Sequence, residues 1–221
     1  MDEIRFFMEE SLVTIEPGAS IREAAQKMRH HSISSVMIAE NENYSGLLTD
    51  TDLTRKVAAK NLDPDNTLAS TISNNPIIAL DASYPMEEAY ECMRKNNIRH
   101  LGVTEKDQMI GILSVKDFAN YFHNKYNQEV DEKGEIQYFM KSSILNIEAG
   151  ETVLNAAKKM AEHKVGALII SEAGKVKGLF SESALTMDMI ASGRPLATTL
   201  LSEVLILKLN TMDLNETMSN A

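Results

Sequence analysis

Four stretches of this chain share one pattern of apolar residues at i, i+3, i+4 and i+7. They are Ile21, Ala24, Ala25, Met28; then Met86, Ala89, Tyr90, Met93; then Val153, Ala156, Ala157, Met160; then Leu214, Thr217, Met218, Ala221. Their starts, Ile21, Met86, Val153 and Leu214, are almost evenly spaced along the sequence. Such a pattern puts one apolar stripe along a helix. In the first three copies a glycine follows the closing methionine at one fixed offset: Met28 to Gly46, Met93 to Gly111 and Met160 to Gly178. An internal repeat constrains the fold strongly, because every copy must be the same supersecondary unit and none buries its apolar face alone. The 221 residues hold three copies and part of a fourth, a strand near Val204 to Leu209 that could add to the sheet of repeat three and a first helix.

Each copy reads β-α-β-β-α, an α/β (α+β) class of fold built from tandem repeats paired about a pseudo-two-fold axis. In the first, a short strand from Leu12 to Ile15 closes at Pro17-Gly18. Ser20 then caps a helix, and Glu23 three residues on completes a capping box. Strands over 35–39 and 44–48 flank a polar turn, Glu40 to Asn43, and a second helix starts at Thr49 to Asp52. An apolar lead-in precedes each copy: Phe7-Met8, Ile72, Phe139-Met140 and Leu200-Leu201. Three short strands and two helices leave a sheet face uncovered, so the units pair sheet to sheet. The boundaries read as repeats one and two over 6–123, a polar linker over 124–137, repeat three over 138–200 and the partial fourth over 201–221.

Charge and composition close off several functions. The 22 basic against 32 acidic residues give a net charge of −10. A nucleic-acid polymer binder working by charge neutralisation needs the opposite excess, and an acidic surface is repelled by anionic lipid. No apolar run approaches the ~20 residues of a membrane helix, and the acidic start MDEIRFFMEE is unlike a secretory signal. A single cysteine, Cys92, forms no internal disulfide, so a reducing cytoplasm is the expectation.

Three stretches carry a family resemblance: Gly46-Leu-Leu-Thr-Asp-Thr-Asp52-Leu, Gly111-Ile-Leu-Ser-Val-Lys-Asp117-Phe and Ile98-Arg-His-Leu-Gly-Val103. They resemble the CBS domain (the cystathionine β-synthase-type module), and 6–123 is similar to a paired Bateman module. The residues have their own chemistry. Thr49 and Ser114 sit where a strand gives way to a helix, where free N–H groups and hydroxyls face an anion. Asp52 and Asp117 repel phosphate, but one carboxylate accepts both hydroxyls of a diol. A phosphate donor beside a diol acceptor describes a ribonucleotide site. Ser or Thr followed by Asp three residues later is equally an ordinary helix cap, and the residues alone leave both readings open.

The resemblance implies more. The Asp holds the ribose hydroxyls, and the basic pair Arg99 and His100 ahead of the repeat-two strand reaches the phosphate; repeat one has Ser34-Ser35 there, so the two sites are unequal. It also implies composite sites, one with Val13 and Ile33 around the base and Ser114, Asp117 and Arg99 opposite, the other with Ile78, Ile98, Thr49 and Asp52. Repeat three departs from the pattern: Gly178-Leu-Phe-Ser181-Glu-Ser-Ala184 puts alanine where the diol acceptor belongs, so this copy is structural or takes another ligand.

Other constellations are weak. The five histidines form no metal-ligand spacing, and Asp50-Thr-Asp52 reads as a helix start rather than a metal-binding pair. Cys92 has no base placed near it, so it is a small, partly buried residue. Met28, Met93 and Met160 fill the core. The expectation is a non-enzymatic cytoplasmic sensor that binds AMP, ADP or ATP between repeats one and two. It needs no metal, forms a homodimer and acts on an effector protein. The rival expectation is a ligand-free scaffold for dimerisation or protein interaction.

Overall fold

The computed structural model describes residues 2–126, 144–204, 209 and 211–216. Each repeat carries its own three-stranded sheet, ordered β1-β2-β3, β4-β5-β6 and β7-β8-β9, and in the second and third the first pair of strands is parallel and the second antiparallel. In repeat one, β1 (Thr14–Ile15) pairs parallel with β2 (Ser35–Glu40), and β3 (Asn43–Thr49) follows. Repeat two has β4 (Ala79–Asp81), β5 (His100–Glu105) and β6 (Gln108–Ser114); repeat three has β7 (Asn146–Glu148), β8 (Ala167–Glu172) and β9 (Lys175–Ser181). The first strand is shorter than the sequence suggested, because Leu12 and Val13 stay outside the regular ladder. Positive φ at Asn41 and Glu42, at Lys106 and Asp107, and at Ala173 and Gly174 closes each hairpin with two residues, the geometry that matches strand twist.

The first helix of each copy is α1 (Ile21–His31), α3 (Met86–Asn96) and α5 (Val153–His163), as the periodicity requires. Ser20 and Glu23 form the expected capping box, with Ser20 N donating to Glu23 over 2.6 Å. All three helices stop at a left-handed residue that is not glycine: Ser32, Asn97 and Lys164. Met28 and Met160 are fully buried and Met93 nearly so. The second helix of repeat one, α2, begins at Asp50–Asp52, widens to a π-type run over Leu53–Val57 and tightens over Ala58–Lys60. Its counterpart in repeat three, α6, starts at Glu182–Ala184 and widens over Leu185–Ile190. In repeat two it is the regular helix α4, Val115–Tyr126. The remaining linker residues and most of the fourth-repeat strand near 204–209 and helix over 214–221 lie outside the described residues; Leu214 to Glu216 form a turn.

Two compact units result. The first joins Met1–Glu16, Ser35–Leu47 and Asn74–Val130, which is the sheet of repeat one with the whole of repeat two. Its core holds Ile4, Met86, Leu101, Val103, Leu113 and Phe118, with Phe7 and Met8 packed against it. The second joins Pro17–Ser34, Leu48–Ser73 and Asp131–Ala221, which brings the helices of repeat one together with repeat three. There α1 packs on the 185–190 helix, and α5 packs on the run over 53–60. Arg22 donates to the Ile190 carbonyl (2.7 Å) and Arg29 to Ser192 Oγ (2.9 Å), so one face of α1 holds the end of the repeat-three helix.

The lead-ins are exchanged between repeats. Inside the first unit, the N-terminal segment crosses onto repeat two: Ile4 N donates to Tyr84 O, and Glu9 and Ile112 exchange two backbone hydrogen bonds of 2.9 and 3.0 Å. Leu47 and Asn74 make the matching exchange, at 3.1 and 2.8 Å, between the sheet of repeat one and the lead-in of repeat two. Each exchange falls one residue after a recurring glycine, Gly111 or Gly46. A Cβ at Gly111 would lie 2.5 Å from Met8 Sδ and 3.0 Å from the Glu9 carbonyl oxygen. That close approach gives the glycine of repeat two a steric reason.

Candidate functional site

The polar residues singled out from the sequence fall at two strand-to-helix corners, one in each compact unit. In the first unit the corner is Ser114–Asp117. Residues 100 and 114 are register partners across β5 and β6, and Val115 N donates to the Arg99 carbonyl (3.1 Å), which ties the start of α4 to the end of the neighbouring strand. Arg99, His100, Ser114 and Asp117 are thereby brought to one place. His100 is the first residue of β5 rather than a residue ahead of it, and it is buried, while Arg99 is exposed.

Asp117 is held through one oxygen. Its Oδ2 accepts from Ser114 N (2.7 Å) and Ser114 Oγ (2.8 Å), which uses both lone-pair positions of that oxygen. Asp117 Oδ1 meets no protein donor among the described residues, and the residue is only half-buried. The Ser114 hydroxyl, expected to face a ligand, donates to its own Asp instead. The serine thus fixes the carboxylate through one oxygen and leaves the other uncommitted.

At the other corner Asp50 N donates to Ser34 O (2.9 Å), tying the segment after α1 to the start of α2. Asp52 Oδ2 accepts from Thr49 Oγ1 (2.6 Å) and Thr49 N (3.0 Å), the same capping geometry. Here, however, Lys56 one turn on places its Nζ 2.8 Å from Asp52 Oδ1 and also donates to the Ile72 carbonyl at 2.9 Å. The Asp52 side chain is only 7% exposed. In repeat two the position four residues after the Asp is Tyr121, which is buried with its hydroxyl engaged by Asp2, Glu87 and Lys125. The expected inequality of the two corners thus has a second source in Lys56, which no spacing rule flagged because a lysine one turn after an aspartate is ordinary helix chemistry.

The apolar members are distributed. The Val13 carbonyl accepts from Met37 N, and the residue is half-buried; Ile78 accepts from Gly102 N and is 37% exposed. Ile33 and Ile98, each bonded to the end of the helix before it, are half-buried. In repeat three Ser181 Oγ still caps Ala184 N (3.2 Å), with no carboxylate at the third position. A cavity of about 510 Å³ opens beside its sheet, lined by Ile144, Leu145, His163, Val165, Ala167, Ile169 and Leu179. Among the described residues no cluster of three or more His, Cys, Asp or Glu could hold a metal ion, and no described helix is long and apolar enough to cross a membrane.

Comparison with known proteins supplies the context. The CBS domain family model matches residues 2–59, 69–124 and 134–189. CBS domain-containing protein YhcV from Bacillus subtilis is 25% identical over 119 residues, which are 54% of this chain and 84% of YhcV. Protein MK0525 from Methanopyrus kandleri is 32% identical over 108 residues, 48% of this chain; the match spans about half of that protein, 55%. The crystal structure of protein MJ1225 from Methanocaldococcus jannaschii superposes with a TM-score of 0.81 at 15% identity, covering 99% of this chain and 87% of that one.

Proposed function

This chain belongs to the CBS domain family, and on that premise we propose that it is a non-enzymatic regulatory protein. It binds an adenine ribonucleotide of the AMP, ADP or ATP class, and Asp117 receives the ribose. The observation that carries the reading is the Asp117 carboxylate, anchored through one oxygen by Ser114, with its other oxygen meeting no protein donor among the described residues. A carboxylate oxygen accepts two hydroxyls, and Arg99, whose backbone carbonyl is bonded to the start of α4, adds positive charge for a phosphate in a protein of net charge −10. The Asp52 corner supplies a second, unequal carboxylate. Ligand binding acts through a change in repeat or dimer geometry, transmitted to an effector protein, and requires that the ligand favour one geometry over another.

Thermal unfolding with AMP, ADP, ATP and S-adenosylmethionine tests the reading. A ligand present at about 100 times its Kd adds about 2.7 kcal/mol of stability, a rise of roughly 5–10 °C in a chain of this size. Asp117→Ala should remove most of that shift while leaving the unliganded midpoint within a few degrees. The absence of any shift with all four compounds at millimolar concentration rejects nucleotide sensing and leaves a scaffold.

A further inference from the structure

We infer that Lys56 sets the ribose selectivity of the Asp52 corner and makes it different in kind from the Asp117 corner. The inference rests on the nucleotide reading above and concerns what each carboxylate still has to offer. A carboxylate has about four acceptor positions, two on each oxygen. At Asp117 two of them, both on Oδ2, are used by Ser114 N and Oγ, and the two on Oδ1 remain for the two hydroxyls of a cis-diol. At Asp52 the same two are used by Thr49, and Lys56 Nζ takes a third at 2.8 Å. At most one position is left, so Asp52 receives at most one hydroxyl of a ribose.

Lys56 is held in that position from two sides. The Ile72 carbonyl accepts from the same ammonium at 2.9 Å, and the Asp52 side chain is almost fully buried, which strengthens the pairing. The corresponding Tyr121 of repeat two has its hydroxyl turned to Asp2 and Glu87 and offers Asp117 no cation. Consequently the Asp117 corner discriminates against a sugar that lacks either hydroxyl. The Asp52 corner does not, because it holds at most one hydroxyl whichever sugar binds. The ligand class at Asp52 therefore widens to deoxyribonucleotides and 3′-deoxyribonucleotides, and the ammonium adds a positive charge for their phosphates.

Isothermal titration with AMP, 2′-deoxy-AMP and 3′-deoxy-AMP separates the corners. In Asp52→Asn protein, where Asp117 is the one capping carboxylate left at the two corners, each deoxy analogue should bind about tenfold or more weakly than AMP, the loss of one hydrogen bond to a charged group. In Asp117→Asn protein, with Lys56 intact, all three should bind within about threefold of one another. Adding Lys56→Met to Asp117→Asn should restore discrimination to about tenfold. Equal discrimination in the two single variants, or no change on adding Lys56→Met, overturns the inference while leaving nucleotide binding standing. Failure of the wild-type protein to bind any of the three overturns both. Should Asp52→Asn not fold by circular dichroism, the comparison of Asp117→Asn with and without Lys56→Met decides alone.

Discussion

Replacing Gly111 by alanine should loosen the hold of repeat two on the N-terminal segment. The added Cβ would stand 2.5 Å from Met8 Sδ, 3.0 Å from Met8 Cγ and 3.0 Å from the Glu9 carbonyl oxygen. Methionine has three side-chain torsions and can turn its sulfur aside. The Glu9 carbonyl cannot follow, because it accepts from Ile112 N at 3.0 Å while Glu9 N donates back to Ile112 O at 2.9 Å. Overpacking of this kind costs about 1–3 kcal/mol, and relief by separation would sacrifice hydrogen bonds worth about 1 kcal/mol each. Either route gives an expected destabilisation of about 2 kcal/mol. With a urea m-value of about 2–3 kcal/mol/M, the midpoint falls by somewhat under 1 M. Combining Gly111→Ala with Met8→Ala removes the sulfur and Cγ contacts but not the carbonyl, so the double variant should lose about 1 kcal/mol less than the two singles summed. A single variant within about 0.5 kcal/mol of wild type, the range of an uninvolved surface site, or strict additivity, would refute the steric account of the recurring glycine.

Two further outcomes follow from packing and charge. Ala25 and Tyr90 occupy the same repeat position, yet Ala25 is fully buried and Tyr90 is 43% exposed; Ala25→Tyr should cost about 1–3 kcal/mol by overpacking and Tyr90→Ala under about 1 kcal/mol, and equal losses in urea unfolding would contradict this. Burial, with help from the neighbouring carboxylates of Asp2 and Glu87, pushes the Tyr121 phenol from 10.0 up to about 12. Below pH 10 the phenol is neutral in both folded and unfolded chains, but between about 10 and 12 only the unfolded chain ionises, so stability falls as pH rises through that window. Tyr121→Phe should flatten this alkaline limb of the melting-temperature profile, and an unchanged slope would show that the buried phenol does not drive it.

What the sequence made legible was local. The capping box at Ser20 and Glu23, the buried methionines and the polar turn expected over Glu40 to Asn43, which the structure tightens to Asn41 and Glu42, each depend on residues a few positions apart. So did the Thr49–Asp52 and Ser114–Asp117 pairs, whose geometry follows from helix capping alone. The exchanged lead-ins were not legible, because Glu9 meets Ile112 across a separation that no periodicity encodes. The recurring glycine signalled that exchange without saying what approached it. Nor did the spacing reveal how the copies divide, since the helices of repeat one cluster with repeat three while its sheet clusters with repeat two.

For the same reason a repeat cannot be read by copying one copy's roles onto the next. Ala25 and Ala157 are fully buried in the unit where α1 and α5 pack on the second helices of repeats three and one. Repeat two, grouped in the other unit, can carry Tyr90 at that position, and it uses the ring against Phe118 and Phe122. The position one turn after Asp52, Asp117 and Ala184 diverges further: Lys56 pairs with Asp52, Tyr121 anchors the N-terminal segment through Asp2, and Asp188 follows Ala184, where no carboxylate stands. Backbone geometry is shared because capping and hairpin chemistry are local, whereas charge at the corners depends on single side chains free to vary under that geometry. On the proposed nucleotide reading, selectivity is therefore to be sought in the variable position beside the shared motif, which in repeat one is Lys56.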